Sequence, residues 1–237
     1  DVVVVTFNHR IGILGFLSTD DESASGNWGL WDQKLALEWV RNNIAAFNGD
    51  PNLVTIFGQG SGAASVIYHM ISPLSQGLFH RAIAQSGSAL CEWALERSPL
   101  LFARQVAQTV GCPTSSTIDL VNCLRNTHFS ALLTAQSNAK MSSDALYTSC
   151  IDETLKVYSQ IPDAIAYQYL FAYKGRNSLV NVLMDNSMTL FETGVGHGDE
   201  LFYLFDLKIT SQRWFSRKDI QTRERVLTLW TDFAKHG

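Results

Sequence analysis

The residues that come nearest to enzymatic chemistry in this sequence form a glycine-rich turn, Gly58-Gln59-Gly60-Ser61-Gly62. Its outer glycines have the spacing of the G-x-S-x-G turn, in which a strained serine between a strand and a helix attacks a carbonyl carbon. The middle position here is Gly60, which has no side chain to act as nucleophile. The pattern therefore predicts a turn that keeps its shape and lacks its reactive group.

The nearest hydroxyl belongs to Ser61, where the backbone N–H of such a turn normally helps to stabilise an oxyanion. Ser61 has two interpretations: a nucleophile displaced by one position, or a small residue that starts the following helix. We favour the second, because the geometry of the turn directs the attacking oxygen and closeness in sequence does not.

The elements around the turn predict an α/β chain. The β-branched run Leu53–Phe57 enters the turn, a helix follows to about Ile71, and Ala82–Gln85 predicts the next strand. Val2–Phe7 predicts a strand buried on both faces, and the alternating aromatic run Tyr167–Tyr173 predicts another. Strands that alternate with helices at this spacing favour a doubly wound, mostly parallel sheet with helices on both faces.

Apolar residues at helical spacing predict three further helical stretches, at 30–40, 99–133 and 223–234. Residues 134–150 have little periodicity and are predicted to form a loop. Trp28, Trp31 and Trp39 could line a gorge for a cationic ligand or belong to the core. The core is favoured for Trp31 and Trp39.

Composition predicts one globular domain over 1–237. It also disfavours two classes of binding partner. The 237 residues are 46% hydrophobic and carry a net charge of -4, which does not favour binding to nucleic acid or to anionic membranes. No apolar run approaches the roughly 20 residues that span a bilayer. No cofactor and no metal are expected. The chain opens on a strand-like run without an initiator methionine, so we expect a fragment, with any membrane anchor outside it.

The four cysteines leave the redox compartment open. Cys112 and Cys123 flank a short segment and are either a disulfide or two buried thiols. Cys91 and Cys150 show no evident relation to each other.

Taken together, the motifs resemble the type-B carboxylesterase and cholinesterase family of the α/β-hydrolase fold. The resemblance runs in family order over most of the chain. Its motifs are VVVVTFNHRIGILGFLS, SGNWGLWDQKLALEWVRNNIAAFNGDPNLVTIFG, SPLSQGLFHRAIAQSGSAL, NCLR and GVGHGDELFYLF.

The resemblance implies a role for four positions. It puts the family's nucleophile at Gly60, its histidine base at His197 and one oxyanion-hole amide at Ser61. Ser86, within QSGS, corresponds to a buried serine near the site that is not the nucleophile. His197 is then either a leftover base or a hydrogen-bonded structural histidine, and the second is favoured.

Other residues of these motifs are given structural roles. Asp199 and Glu200 are either structural partners of basic residues or an acidic loop surface, and the first is favoured. Cys112 and Cys123 match a family disulfide, which favours an extracellular or cell-surface location through the secretory pathway.

Two departures from the family bear on activity. No loop of the G-x-N-x-D/E-E-G type, which carries the acid of the catalytic triad, lies between NCLR and the histidine motif. The interval that the family fills with a long run of helices is also shortened. The sequence thus predicts an incomplete α/β-hydrolase domain with no intact catalytic residue.

The family contains members that lost the serine and act in adhesion or recognition, among them neuroligins, glutactin, gliotactin and neurotactin. The resemblance to that branch implies a non-catalytic ectodomain, a pseudoenzyme that binds a protein partner at the cell surface or in the matrix. The alternative is a carboxylic ester hydrolase, either degraded, misannotated or using Ser61.

Overall fold

A computed structural model describes residues 1–139, 147–162, 164–175, 195, 197–205 and 215–237. Helices dominate this part of the chain. The elements are α1 (Gly12–Phe16), α2 (Trp28–Asn43), β1 (Thr55–Gln59), α3 (Ser61–Ile71), β2 (Arg81–Gln85), α4 (Pro99–Thr109), α5 (Thr117–Asn126), α6 (Phe129–Asn138), α7 (Tyr147–Tyr158), α8 (Leu201–Leu204) and α9 (Arg217–His236). Short 3₁₀ turns lie at Ile44–Phe47, Pro73–Ser75 and Glu92–Ala94.

The centre of the fold is a β-α-β unit. β1 and β2 are parallel, with Thr55 opposite Arg81 and Gln59 opposite Gln85, and α3 connects and contacts both strands. The predicted strand at 53–57 begins two residues later, because Leu53 donates its amide to Asp50 in the preceding turn. The prediction for β2 is confirmed, and α3 ends at Ile71 as expected.

Two apolar clusters hold the helices in place. The smaller packs around the β-α-β unit and consists of Leu37, Ile56, Val66 and Leu78. The larger joins α1 to α4, α5 and α6, with Val106 and Leu120 fully buried, and it includes Cys112. Burying apolar side chains of this size stabilises a fold by about 1.5–3 kcal/mol each, so the clusters fix where the elements lie.

Two predicted strands are wrong. Val2–Phe7 and Tyr167–Tyr173 form no strand, and no described segment pairs with them. Val4 is 58% exposed and Leu170 is 89% exposed. A strand needs a neighbour for its backbone N–H and C=O groups, and in the described ranges the sheet has two strands, β1 and β2.

The expected loop at 134–150 is wrong at both ends. α6 extends to Asn138 and α7 begins at Tyr147. Residues 140–146 lie outside the part that the structure describes. The helices at 30–40 and 223–234 are confirmed as the central parts of α2 and α9. The stretch 99–133 is divided among α4, α5 and α6.

Of the three tryptophans of α2, Trp28 packs against the larger apolar cluster, whereas the prediction of a core position for Trp31 and Trp39 is wrong. Trp31 and Trp39 are 50% and 46% exposed. The buried side of the helix is formed by Gly29, Gln33, Leu37 and Val40. On a 3.6-residue helix, position 31 lies opposite positions 29, 33 and 37, and position 39 lies on the flank of that buried side, so both of these tryptophans are partly open to solvent.

None of the helices in the described ranges has the length and hydropathy that a bilayer-spanning helix requires.

Candidate functional site

The glycine-rich turn connects β1 to α3 and has the sharp geometry that its spacing predicts. Gly60 has φ +60° and ψ -118°, a conformation that residues with a side chain rarely adopt. Its amide donates to the carbonyl of Gln85 at 2.9 Å, and its own carbonyl accepts from the amide of Ala64 at 3.1 Å. The turn is thus fixed between β2 and the first turn of α3.

The surrounding backbone is too close for side chains at two more glycines. A Cβ at Gly58 would run into the backbone of Gly62, and a Cβ at Gly87 would run into the carbonyl oxygen of Gly60. Both clashes are with backbone atoms, which cannot swing away. The close approach of strand, turn and helix therefore requires glycine at both positions.

His197 lies directly opposite the tip of the turn. A Cβ built on Gly60 would be 3.2 Å from Nε2 of His197 and 3.7 Å from its Cε1. The imidazole therefore faces the space into which a side chain at position 60 would project. The structure brings Gly60 and His197 together, although they are 137 positions apart in the chain.

One of the side chains that contact His197 is Gln59. The amide Nε2 of Gln59 and the ring Nε2 of His197 are 2.6 Å apart. Surrounding protein atoms lower the pKa of His197, because partial desolvation penalises the imidazolium. Sequence reasoning did not single out Gln59. The one sequence feature that could have indicated a role for Gln59 is its position next to the tip of the turn.

Ser61 is the first residue of α3 and is exposed. The first amides of a helix have no intrahelical acceptor, and no side chain caps this end of α3. The Cβ position that faces His197 belongs to Gly60, while the Ser61 side chain starts one residue further along the helix. The role of the Ser61 amide as an oxyanion-hole donor stays a prediction of the family resemblance.

The acidic residues after His197 are buried. Asp199 is 5% exposed and Glu200 is 6% exposed. The amide of Gln85 donates to Oε1 of Glu200 at 3.4 Å, so Glu200 has an amide as partner where we expected a basic residue. Burial raises the pKa of Glu200, and the neighbouring charge of Asp199 adds to this.

A buried carboxylate anchors the segment that carries His197. Phe202 and Tyr203 of α8 are 0% and 1% exposed. The hydroxyl of Tyr203 donates to Oδ1 of Asp219 at 3.2 Å, and the hydroxyl of Tyr173 donates to the same oxygen at 3.1 Å. Asp219 also accepts from the amide of Ser216 at 2.6 Å, within a capping box at the start of α9.

The balance of forces on Asp219 favours its charged form. Burial by itself raises the pKa of Asp219, but the hydrogen bonds from Ser216, Tyr173 and Tyr203 outweigh it and the pKa is lowered. Asp219 therefore accepts these bonds as a carboxylate at neutral pH.

The expectation for Ser86 is corrected. Ser86 is half-buried and has a left-handed backbone, with φ +50°. The buried serine of this segment is Ser88, which is 1% exposed and whose hydroxyl is hydrogen-bonded to the hydroxyl of Thr154 in α7. The turn after β2 points the second serine of QSGS inward.

The cysteines form two disulfides. Cys112 is bonded to Cys123, as the family resemblance implied. Cys91 is bonded to Cys150, a pair that sequence reasoning did not find because the partners are 59 residues apart. The second bond joins the loop after β2 to α7, one helical turn from the Ser88–Thr154 contact.

Among the described residues, no group of three or more His, Cys, Asp and Glu side chains is arranged to hold a metal ion. The chemistry available at the site is hydrogen bonding from the amides at the start of α3, from Gln59 and from His197.

The β-α-β unit, the sharp turn before α3 and the histidine opposite it define a class of protein. The model of the carboxylesterase family matches residues 1–152 and 136–237. The chain belongs to the carboxylesterase family, and its fold is that of an α/β-hydrolase.

Similar proteins include both lipases and a neuroligin. The bile salt-activated lipase of Rattus norvegicus is 53% identical over 135 residues, which is 57% of this chain and 22% of the lipase. Esterase E4 of Myzus persicae is 51% identical over 126 residues, which is 53% of this chain and 23% of the esterase. Neuroligin-3 of Mus musculus is 52% identical over 125 residues, which is 53% of this chain and 15% of neuroligin-3. The aligned part of the chain thus spans less than a quarter of these relatives.

Proposed function

We propose that this chain belongs to a non-catalytic member of the carboxylesterase family that recognises a protein partner outside the cell or at its surface. The observation that carries the proposal is Gly60 at the tip of the turn, with Nε2 of His197 3.2 Å from the position of the absent Cβ. The scaffold of the site is retained while the reacting atom is missing.

Ester hydrolysis needs an oxygen that attacks the acyl carbon, a base that takes its proton and donors that face the oxyanion. Gly60 offers no oxygen, so the acylation step has no nucleophile. The amides of α3 would leave at most the residual catalysis seen when a triad residue is removed, about 10³–10⁴-fold over water. We therefore infer that His197 and Ser61 are vestigial at this site.

Recognition is supported by the relatives and by the disulfides. Neuroligin-3 is as similar to this chain as the lipases are, and the family resemblance includes adhesion proteins that lost the serine. Disulfides persist in oxidising compartments, and all four cysteines are paired here. Both observations favour an extracellular or cell-surface location.

The alternative is a carboxylic ester hydrolase that uses Ser61. The similarity to bile salt-activated lipases and to esterase E4 favours it. The position of Ser61 opposes it, because the side-chain direction that meets His197 originates at residue 60.

Hydrolysis is tested with the purified chain, p-nitrophenyl acetate and a fluorophosphonate that forms a covalent bond with activated serines. We expect turnover no higher than that of a His197→Ala variant and no labelled serine by mass spectrometry. Labelling of Ser61 that disappears in a Ser61→Ala variant would show that the alternative is correct.

Recognition is tested by cell aggregation. Cells that display the chain are mixed with cells that display candidate surface proteins, and cells that display an unrelated disulfide-bonded ectodomain serve as control. We expect aggregation with at least one partner population. Aggregation no greater than in the control, across the set, would contradict the proposal.

A further inference from the structure

Gln59, the residue before the tip of the turn, contacts His197. Gln59 is the last residue of β1 and is half-buried, so its position is set by the pairing with Gln85 on β2. From there its side-chain amide reaches Nε2 of His197 at 2.6 Å. This is the same nitrogen that faces the Cβ position of Gly60 at 3.2 Å.

We propose that Gln59 blocks the base: its amide occupies Nε2 of His197, so that the site is disabled at the histidine as well as at the nucleophile. A neutral imidazole has one nitrogen with a free lone pair, and only that nitrogen can accept a proton. When the ring hydrogen of His197 is on Nδ1, an amide N–H of Gln59, whose nitrogen lies 2.6 Å from Nε2, donates to this lone pair.

The conclusion holds for either orientation of the Gln59 amide, whose nitrogen and oxygen have similar shapes. With the amide rotated by 180°, its oxygen would accept a proton that is already on Nε2. Nε2 would then carry a hydrogen and have no lone pair. In both cases a hydroxyl at position 60 meets an Nε2 whose lone pair is either engaged by the amide or replaced by a hydrogen.

The lowered pKa of His197 is caused by its burial. Gln59 is neutral, and Asp199 and Glu200, which follow His197 in the chain, are buried. Gln85 donates to Glu200 from β2. The lowered pKa of His197 agrees with an environment that favours neutral imidazole. The contact lies within the chain, so it does not depend on a partner bound at the surface.

A consequence is that a serine introduced at position 60 would not by itself restore a fully activated nucleophile. Its Oγ and the Gln59 amide would compete for one nitrogen. Because β1 fixes the backbone of Gln59 and the side-chain amide already contacts Nε2, the hydroxyl would face an engaged base. Removal of the Gln59 side chain should release that nitrogen.

The first test follows the ring of His197 by ¹⁵N NMR over a pH titration, in the wild type, Gln59→Ala and Gln59→Met. Gln108→Ala, at an exposed position of α4, is the matched control. We expect both Gln59 variants to titrate at higher pH than the wild type. A shift to lower pH would identify the rotated amide, which also engages Nε2. Titration unchanged from the control would overturn the proposal.

The second test compares fluorophosphonate labelling of Gly60→Ser with that of Gly60→Ser combined with Gln59→Ala. In this reaction the serine oxygen bonds to phosphorus, fluoride leaves and the hydroxyl proton passes to the base. General-base catalysis contributes about 10²–10⁴-fold, so we expect the double variant to react at least about tenfold faster. Equal, measurable rates would overturn the proposal, and if neither variant reacts the NMR titration decides. Because ester turnover of the wild type is a separate measurement, failure of this proposal and failure of the proposed function are distinguishable.

Discussion

Glycines that stand two residues apart in the turn have different structural roles. Gly60 has φ +60° and faces His197, whereas Gly62 lies in the first turn of α3 with nothing within 4 Å of its Cβ position. A side chain at residue 60 would strain the backbone and come close to the imidazole of His197. A side chain at residue 62 would do neither.

The two glycines should therefore respond to alanine with opposite signs. We expect Gly60→Ala to lower the free energy of unfolding by about 1–3 kcal/mol, the range for a strained backbone position. Gly62→Ala should raise it by up to about 1 kcal/mol, because alanine has the higher helix propensity. Urea unfolding monitored by circular dichroism measures both. Equal effects at the two positions would show that the strain at Gly60 is small.

His69 of α3 is hydrogen-bonded to the 3₁₀ turn that follows this helix and to α2. The ring is 7% exposed, its Nδ1 is 2.8 Å from the hydroxyl of Ser75, and its Nε2 is 3.0 Å from the side-chain oxygen of Gln33 on α2. Burial lowers the pKa of His69 below its ordinary value of 6.5. The folded state thus binds the proton less readily than the unfolded chain does.

This difference predicts acid sensitivity from His69. Its contribution to stability is complete above pH 6.5, the ordinary value for histidine, and is lost as the pH falls from there towards the lowered pKa of the folded state. We expect the free energy of unfolding to decrease over this window in the wild type and to decrease less in His69→Gln. An unchanged slope would mean that His197, whose pKa is also lowered, accounts for the effect.

At the scale of the elements, the carboxylate of Asp219 links α8 to the start of α9. Asp219 starts α9 through its capping box and accepts two tyrosine hydroxyls, one of them from Tyr203 in α8. Asp119 occupies the matching third position of α5, where its amide donates to Ser116, and its side chain is exposed. The two aspartates have similar places in a helix and different surroundings.

We expect Asp219→Asn to lower the free energy of unfolding by about 2–3 kcal/mol at pH 7, because charged acceptors with buried donors are lost. Asp119→Asn should change it by less than about 0.5 kcal/mol, as for other surface positions. The pKa of Asp219 is lowered, so its contribution is present above its ordinary pKa of 3.8 and is lost as the pH falls through the lowered value. The gap between the wild type and Asp219→Asn should therefore close in acid. Urea unfolding at several pH values measures this, and a gap independent of pH would contradict the charged form.

At the scale of the whole molecule, the disulfides connect segments that are distant in the chain. The Cys91–Cys150 bond closes an interval of 59 residues that contains α4, α5, α6 and the 11-residue interval of Cys112–Cys123. The longer loop restricts the unfolded chain more, although the inner bond shortens its effective length.

We expect the Cys91→Ser/Cys150→Ser variant to lose about 4 kcal/mol of unfolding free energy and the Cys112→Ser/Cys123→Ser variant about 3 kcal/mol, as loop entropy predicts. Urea unfolding compares the two double variants, and thiol titration of the wild type checks that all four cysteines are bonded. A larger loss from the inner pair would show that packing around Cys112, in the larger apolar cluster, outweighs the loop entropy.

Much of the β-α-β unit and its glycine turn could be predicted from sequence, because the interactions that define it are local. The run around Ile56, the glycines at 58, 60 and 62, and the helix to Ile71 each specify their own backbone. The same reasoning failed for Val2–Phe7, since a β-branched run shows which residues suit a strand but not whether a neighbouring strand is present.

The sequence by itself determined that Gly60 stands at the middle position of the turn and that the family motifs are present, and the family resemblance implied the pairing of Cys112 with Cys123. Only the tertiary structure decided that Nε2 of His197 faces the Cβ position of Gly60, that the side chain of Gln59 contacts this nitrogen, and that Cys91 is bonded to Cys150. These pairs are between 59 and 138 residues apart in the chain. Their contacts arise from the packing of β1, β2, α7 and α8, and no local pattern encodes which distant side chains that packing brings together.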